Sequence, residues 1–440
     1  MFSENTSIVS KIAHESESSC YFDTSSSLQK EFWWNHLMCN FHKLLPWFHL
    51  DAWDLLRIKI SSLSDICIRT AAASILGTMV IPFGFHPHKI DEAFADREIY
   101  ESKSDTGDPN FFFRDPPYPV SVDKSLTSWP FFNLKGGTCE ILSFKSPYEP
   151  LNPRLKNDFL PDHPNMTAYA RYWRHHDGPR PTICLIHGFF ADSLWMNELL
   201  FVLSWFYKMD CDVLFFTLPF HGSRKNMPFL FSGYGMYSGG FSRINEAFAQ
   251  AIFDIRIFLN YLEKERGVQK FGITGVSIGG YLAALMAAVE KRLAFSIPIV
   301  PVASIADLVM EMFPLSILLK TFLIKKRMSI KEIRHIFAVH TPLTYPPVIP
   351  KDRLMIVGGV GDRFAPPNHS MLLWYHWQYC KIYWFPGSHL FHLDKGKYLK
   401  EIHKFLNEIG FIDNYLDQDL VNQYSRLCHG IEETLPYTMT

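Results

Sequence analysis

From about residue 167 onward the chain alternates short apolar runs with helix-like stretches, and that alternation leaves few folds open. The runs are MTAYARYW, TICLIHG, DVLFFTLP, KFGITGVS, AFSIPIVP, RLMIVGG and KIYWFP, mostly rich in β-branched or aromatic residues. Between several of them lie SLWMNELLFVLSWFYK, RINEAFAQAIFDIRIFLNYLEKE and GGYLAALMAAVEKR, each long enough to be a helix. A near-continuous apolar strand needs cover on both faces, and a crossover helix supplies it. The expectation is therefore an α/β fold: a mostly parallel, twisted sheet with helices on both faces.

The rest of the chain is less regular. Residues 1–110 read as an N-terminal helical extension whose Ser-rich first part is expected to be disordered. Trp33, Trp34, Leu37, Phe41 and Leu45 sit at roughly helical spacing, and Asp51 and Asp54 precede LLRIKISSLSDICI as an N-cap would. Thr70 to Phe85 carries no charge but contains Pro82 and is short for a membrane span, so a buried helix is preferred. Pro- and Asp-rich text from about 105 to 165 is interrupted by the strand-like CEILSFK. The main domain is placed at 111–410, with a small cap insertion at 301–350 and a C-terminal tail at 411–440.

Composition narrows the function classes. Lys and Arg number 43 against 44 Asp and Glu, a net charge of -1, which excludes the basic footprint of a nucleic-acid-binding chain. Eight cysteines are scattered without a CxxC, as in a reducing compartment. MFSENTSIVSKIAHESESSC lacks an apolar core, so no secretory signal is expected and the location reads as cytoplasmic, with membrane association left open. Aromatic residues reach 15%, an unusual share that poses the question of what a neutral chain does with so much Phe.

The strongest chemical signal is Gly275-Val276-Ser277-Ile278-Gly279, directly after the strand KFGIT and opening a helix. A serine on such a turn needs glycines beside it, because a Cβ would strike neighbouring backbone. The turn lifts the Ser277 hydroxyl above the sheet at a helix N-terminus, where developing negative charge is favoured. Upstream, His187-Gly188-Phe189-Phe190 ends another strand. The backbone N–H of Phe189 would join that of Ile278 as an oxyanion hole. Downstream, Asp362 follows the strand RLMIVGG and His389 follows KIYWFP, so Ser, Asp and His come in order, each at the carboxyl end of a strand. In that order His389 would take the Ser277 proton and Asp362 would orient and stabilise the imidazole.

LIHGFF, TLPFHGSR, GITGVSIGG, GGVGDRFAPP and FPGSHL together resemble the α/β-hydrolase superfamily of serine hydrolases, over a little more than half the chain. The resemblance implies an α/β-hydrolase fold and a Ser277–Asp362–His389 triad. It further implies Phe189 and Ile278 as oxyanion donors, Gly275 and Gly279 flanking the nucleophile, and no metal or cofactor. His389 is preferred to His392 as the base, and Asp362 to Asp307 as the acid. His221 reads as structural. Arg224, Lys225 and Arg243 offer an anion site, with a solvated surface as the preferred reading. The apolar run DLVMEMFPLSILLKTFLIKKR would cap Ser277, with the lining of an acyl tunnel or contact with a membrane surface as the sharper alternative to plain packing on the core. Hydrolysis of a small-molecule carboxylic or lipid-like ester is the expected activity. Acyl transfer, peptide cleavage and a catalytically silent scaffold docking on a membrane or partner stay as alternatives.

Overall fold

The computed structural model describes residues 20–21, 32–39, 41, 51–79, 86–127, 136–189, 203–225, 231–390, 392–393 and 396–413. Its centre is a nine-stranded sheet in the order β9-β8-β7-β6-β4-β5-β3-β2-β1. In chain order these are β1 (Asp123–Thr127), β2 (Gly137–Lys145), β3 (Thr167–His175), β4 (Thr182–Ile186), β5 (Asp212–Phe216), β6 (Phe271–Val276), β7 (Leu293–Ile299), β8 (Met355–Gly359) and β9 (Lys381–Phe385). Strands β4 to β9 pair in parallel, and β1, β2 and β3 extend one edge by antiparallel pairing. All seven strand expectations are met, because β4, β5 and β8 are buried at every position and read as unbroken apolar runs.

The sheet begins earlier than the sequence suggested. CEILSFK is the body of β2, and β1 adds an edge strand with four exposed positions and no apolar alternation to betray it. Among the described residues the α-helices longer than a single turn are α1 (Ala52–Met79), α2 (Pro87–Ala95), α3 (Glu98–Ser104), α4 (Leu203–Lys208), α5 (Gly240–Glu265), α6 (Ile278–Val289), α7 (Ile305–Glu311), α8 (Leu315–Lys326), α9 (Ile330–Ala338), α10 (Pro367–His376) and α11 (Lys397–Glu408). The expected helix at 193–208 is seen as α4; its earlier part, like Phe190, the Ser-rich lead, Leu45, residues 80–85 and nearly all of 411–440, lies outside the described residues.

Two apolar cores form on opposite faces of the sheet. One gathers α5 and α6 against inward residues such as Ile186, Phe216 and Ile273. The other gathers α4 and α11 against Ile183, Phe215 and Phe385.

The described residues around Trp33 and those of helix α1 pack on the domain, the former not as the expected run of helix. Trp33–His36 forms a single turn, after which Leu37 is extended. The Trp33 indole donates to Thr344 Oγ1 at 3.0 Å, and Trp34 stacks on His335 with ring centres 4.8 Å apart. Helix α1 starts where the cap predicted, with the Asp54 N–H donating to Asp51 Oδ1 at 2.7 Å. One face of it is buried at Ile58, Ser62, Asp65, Ala72 and Leu76, while Trp53, Leu56, Ile60 and Leu63 face outward. Its continuation past Thr70 is thus half-buried rather than buried. Among the described residues no helix is long and apolar enough to cross a membrane.

Candidate active site

The turn between β6 and α6 takes the shape its glycines require. Ser277 has φ 60° and ψ -116°, a backbone state that costs a non-glycine residue on the order of 1–3 kcal/mol and persists only where its surroundings enforce it. Those surroundings are close. A Cβ on Gly275 would lie 2.5 Å from the Gly279 carbonyl, and one on Gly279 would lie 2.6 Å from the His187 oxygen. The Ser277 N–H donates to Ile299 O at 3.0 Å, tying the turn to β7.

Gly188, just past β4, passes beside Ser277: a Cβ there would be 3.7 Å from that of Ser277. The next residue is Phe189, whose ring meets Tyr237 edge-on at 4.9 Å. His187 braces this loop. Its Nε2 accepts from the Leu218 N–H at 3.1 Å, so the proton sits on Nδ1, 2.8 Å from Gly188 O. Ile278 opens α6, so its N–H belongs to the first turn, where amides have no acceptor within the helix.

Asp362 and His389 are brought together. His389 Nδ1 lies 2.6 Å from Asp362 Oδ2, and both side chains are buried. The other Asp362 oxygen accepts the N–H groups of Phe364 and Ala365, each at 2.8 Å. The Phe364 ring stacks on the imidazole with centres 5.1 Å apart. Burial pulls the imidazole pKa down, but the Asp362 charge and hydrogen bond, with Asp65 behind them, outweigh it and hold the value above that of an ordinary histidine.

Ser277 and His389 open into one cavity of about 350 Å³, within the range of small-molecule sites. Its walls are almost wholly apolar and come from three sources: Phe189, Phe241 and Ile278 from the sheet domain, Met312, Leu319 and Phe337 from α7 to α9 and their links, and Ile68, Ala72 and Leu76 from α1. The segment read as a cap therefore does overhang Ser277.

The competing assignments fall elsewhere. His392 also reaches the cavity wall, but its ring is packed on Phe385 and Tyr398, and burial with the nearby His389 lowers its pKa to about 4. Asp307 is held by Arg334 at 2.6 Å and by Ser304 Oγ at 2.6 Å. His221 is buried with Nδ1 2.8 Å from Pro219 O, its pKa lowered to about 3 by burial and His187. The anion-site reading does not hold for two of its three members, and Arg224 is not on a solvated surface either. Arg224 is fully buried against Asp254 at 2.7 Å, and Arg243 pairs with Asp158 at 2.8 Å. Missed altogether was Asp65, which touches the loops of both Asp362 and His389. The available signal was a lone acid in the Ser-rich, otherwise apolar stretch SSLSDICI.

Comparison with known proteins adds a match to a family over part of the chain. The model of the family described as "Alpha/beta hydrolase domain containing 18" matches residues 213–310, from β5 through the Ser277 turn to α7, and stops short of Asp362 and His389. An uncharacterised protein of Mycobacterium tuberculosis, found in two strains, is 27% identical over 337 residues, covering 73% of this chain and 76% of its own. Among solved structures, the acetyl xylan esterase of Paenibacillus sp. R4 has a TM-score of 0.48 at 14% identity, over 71% of this chain and 94% of its own. Acetyl xylan esterase 1 from Thermoanaerobacterium sp. JW/SL YS485 has a TM-score of 0.49 at 14% identity, over 71% and 93%. With its mostly parallel sheet and its strained serine turn between strand and helix, the chain has the α/β-hydrolase fold, and the stretch across that turn is similar to the matched family.

Proposed function

We propose that the protein is a serine hydrolase that cleaves carboxylic esters with an apolar acyl part. The observation that carries this reading is the shared cavity: a strained serine and a carboxylate-held histidine open together into a space with hardly any polar wall. Ser277 Oγ attacks the ester carbonyl carbon and its proton passes to His389 Nε2, the ring nitrogen that Asp362 leaves uncommitted. The oxyanion accepts the N–H groups of Phe189 and Ile278. His389 then protonates the departing alkoxide, leaving an acyl-Ser277. A water molecule, deprotonated by the same nitrogen, attacks the acyl carbon and frees the acid. Asp362 stays ionised throughout and stabilises the imidazolium.

A fluorophosphonate probe should label the folded protein once, and Ser277→Ala should abolish the label; labelling that survives this change would sink the assignment. The apolar walls support a preference for longer acyl chains. Each buried methylene is worth about 0.8 kcal/mol, or roughly fourfold in kcat/KM, until the cavity is full. Across a series of p-nitrophenyl esters kcat/KM should therefore climb from acetate to a medium chain. A steady fall beyond acetate would remove the acyl preference and leave the nucleophile untouched.

A further inference from the structure

Helix α1 presents one straight stripe, at residues 58, 62, 65, 69, 72 and 76, to the catalytic end of the sheet. Its C-terminal half is apolar, and Ala72 and Leu76 line the cavity. Its middle is polar and grips two loops at once. Asp65, with no exposed surface, accepts the N–H of His389 at 2.8 Å and the N–H of Arg363 at 3.1 Å on one oxygen. Its other oxygen accepts the Ser388 hydroxyl at 2.9 Å. One helical turn earlier, the Ser62 hydroxyl donates to Gly361 O at 2.7 Å, and one turn later the Arg69 guanidinium donates to Arg363 O. The approach is tight: a Cβ on Gly361 would come within 2.7 Å of both Ile58 Cγ2 and Ser62 Oγ.

We propose that Asp65 is a positioning residue of the hydrolase, clamping the Asp362 loop and the His389 loop in one register so that the acid–base pair is complete only with α1 docked. The Gly361 N–H donates to Gly387 O at 2.7 Å and joins the two loops at their bases, and a single carboxylate accepting the N–H groups of Arg363 and His389 holds them together further on, beside the 2.6 Å His389–Asp362 contact. No other polar group of the stripe reaches the His389 loop, since Ser62 and Arg69 bond only the Asp362 side. The helix also supplies negative charge behind the imidazole. The charged and titratable groups facing this cluster are Asp362, Asp65, Arg69, Arg363 and His392, with Glu311 next to Arg69. This inference rests on the reading of Ser277 and His389 as the catalytic pair.

The test compares wild type, Asp65→Asn, Asp65→Ala and Ser388→Ala for fluorophosphonate labelling, kcat, KM and the pH–rate profile of ester hydrolysis. Asparagine keeps the shape and one acceptor while removing the charge. It should lower kcat about tenfold and move the acid limb to lower pH, because an anion that favoured imidazolium is gone. Alanine releases both loops and should cost about 100-fold in kcat with KM little changed. Folded Asp65 variants with wild-type kcat and an unmoved acid limb would overturn the proposal. Should they not fold, Ser388→Ala decides: it truncates one hydroxyl, and a wild-type kcat there overturns the clamp while a fall of several-fold supports it. Wild-type protein that takes no fluorophosphonate label would instead retire the serine hydrolase reading itself.

Discussion

Asp362→Asn should lower kcat by about 10⁴ with KM nearly unchanged, the scale seen when a buried triad carboxylate loses its charge but keeps its shape. The physical reason is local. His389 Nδ1 has Asp362 Oδ2 at 2.6 Å, which fixes the proton on that nitrogen and leaves Nε2 basic. An amide there turns an N–H toward the ring, favouring the wrong tautomer. The residual activity carries a second signature. In wild type the acid limb of kcat/KM should lie above the ordinary histidine range, since the raised imidazole must lose its proton to act as base and activity falls as pH drops through it. Without the Asp362 charge and hydrogen bond, burial is opposed only by the more distant Asp65, so the limb should move to lower pH. A limb that stays in place would mean that another group titrates.

Asp254→Ala should destabilise the fold by about 3–5 kcal/mol, measured as a fall in the urea midpoint, because it strands the Arg224 guanidinium without a counter-charge. Neither side chain of this pair has any exposed surface. Arg224 would keep bonds to Asn165 O at 2.8 Å and Thr217 O at 3.2 Å, but carbonyl dipoles do not neutralise a full charge. Asp254 also accepts the Ser146 hydroxyl, so the change opens a second unsatisfied group. Replacing both partners together, as Arg224→Met with Asp254→Leu, should recover most of the loss. A loss below about 1 kcal/mol in the single variant would show that Arg224 finds water or another anion.

The parallel half of the sheet was legible because burial on both faces writes strands as unbroken apolar text, as in TICLI and MIVGG. The places of Ser277, Asp362 and His389 were legible for a topological reason: each ends or follows a strand, and parallel strands deliver their carboxyl ends to one edge. Strand β1 was not, since its exposed DKSLT carries no period-2 signal. Nor was the fate of Trp33 to Leu37, where helical spacing gives way after one turn and Trp33 and Trp34 meet Thr344 and His335. Arg224 looked like a surface cation because its neighbour in the chain is Lys225, whereas its partner lies 30 residues on in α5. The period of α1 was readable, but not what its buried stripe would meet.

That stripe has a consequence for the order of events in synthesis. Asp65 and His389 stand 324 residues apart, so the helix leaves the ribosome long before the loops it must hold exist. At about 5–20 residues per second the interval is roughly 15–65 s. During it α1 has neither the cavity for its apolar half nor backbone donors for its carboxylate, and isolated helices in water are marginal. If Asp65 acts as proposed, a molecule in which α1 has not yet docked carries the Ser277 turn without the Asp362 and His389 loops held in register.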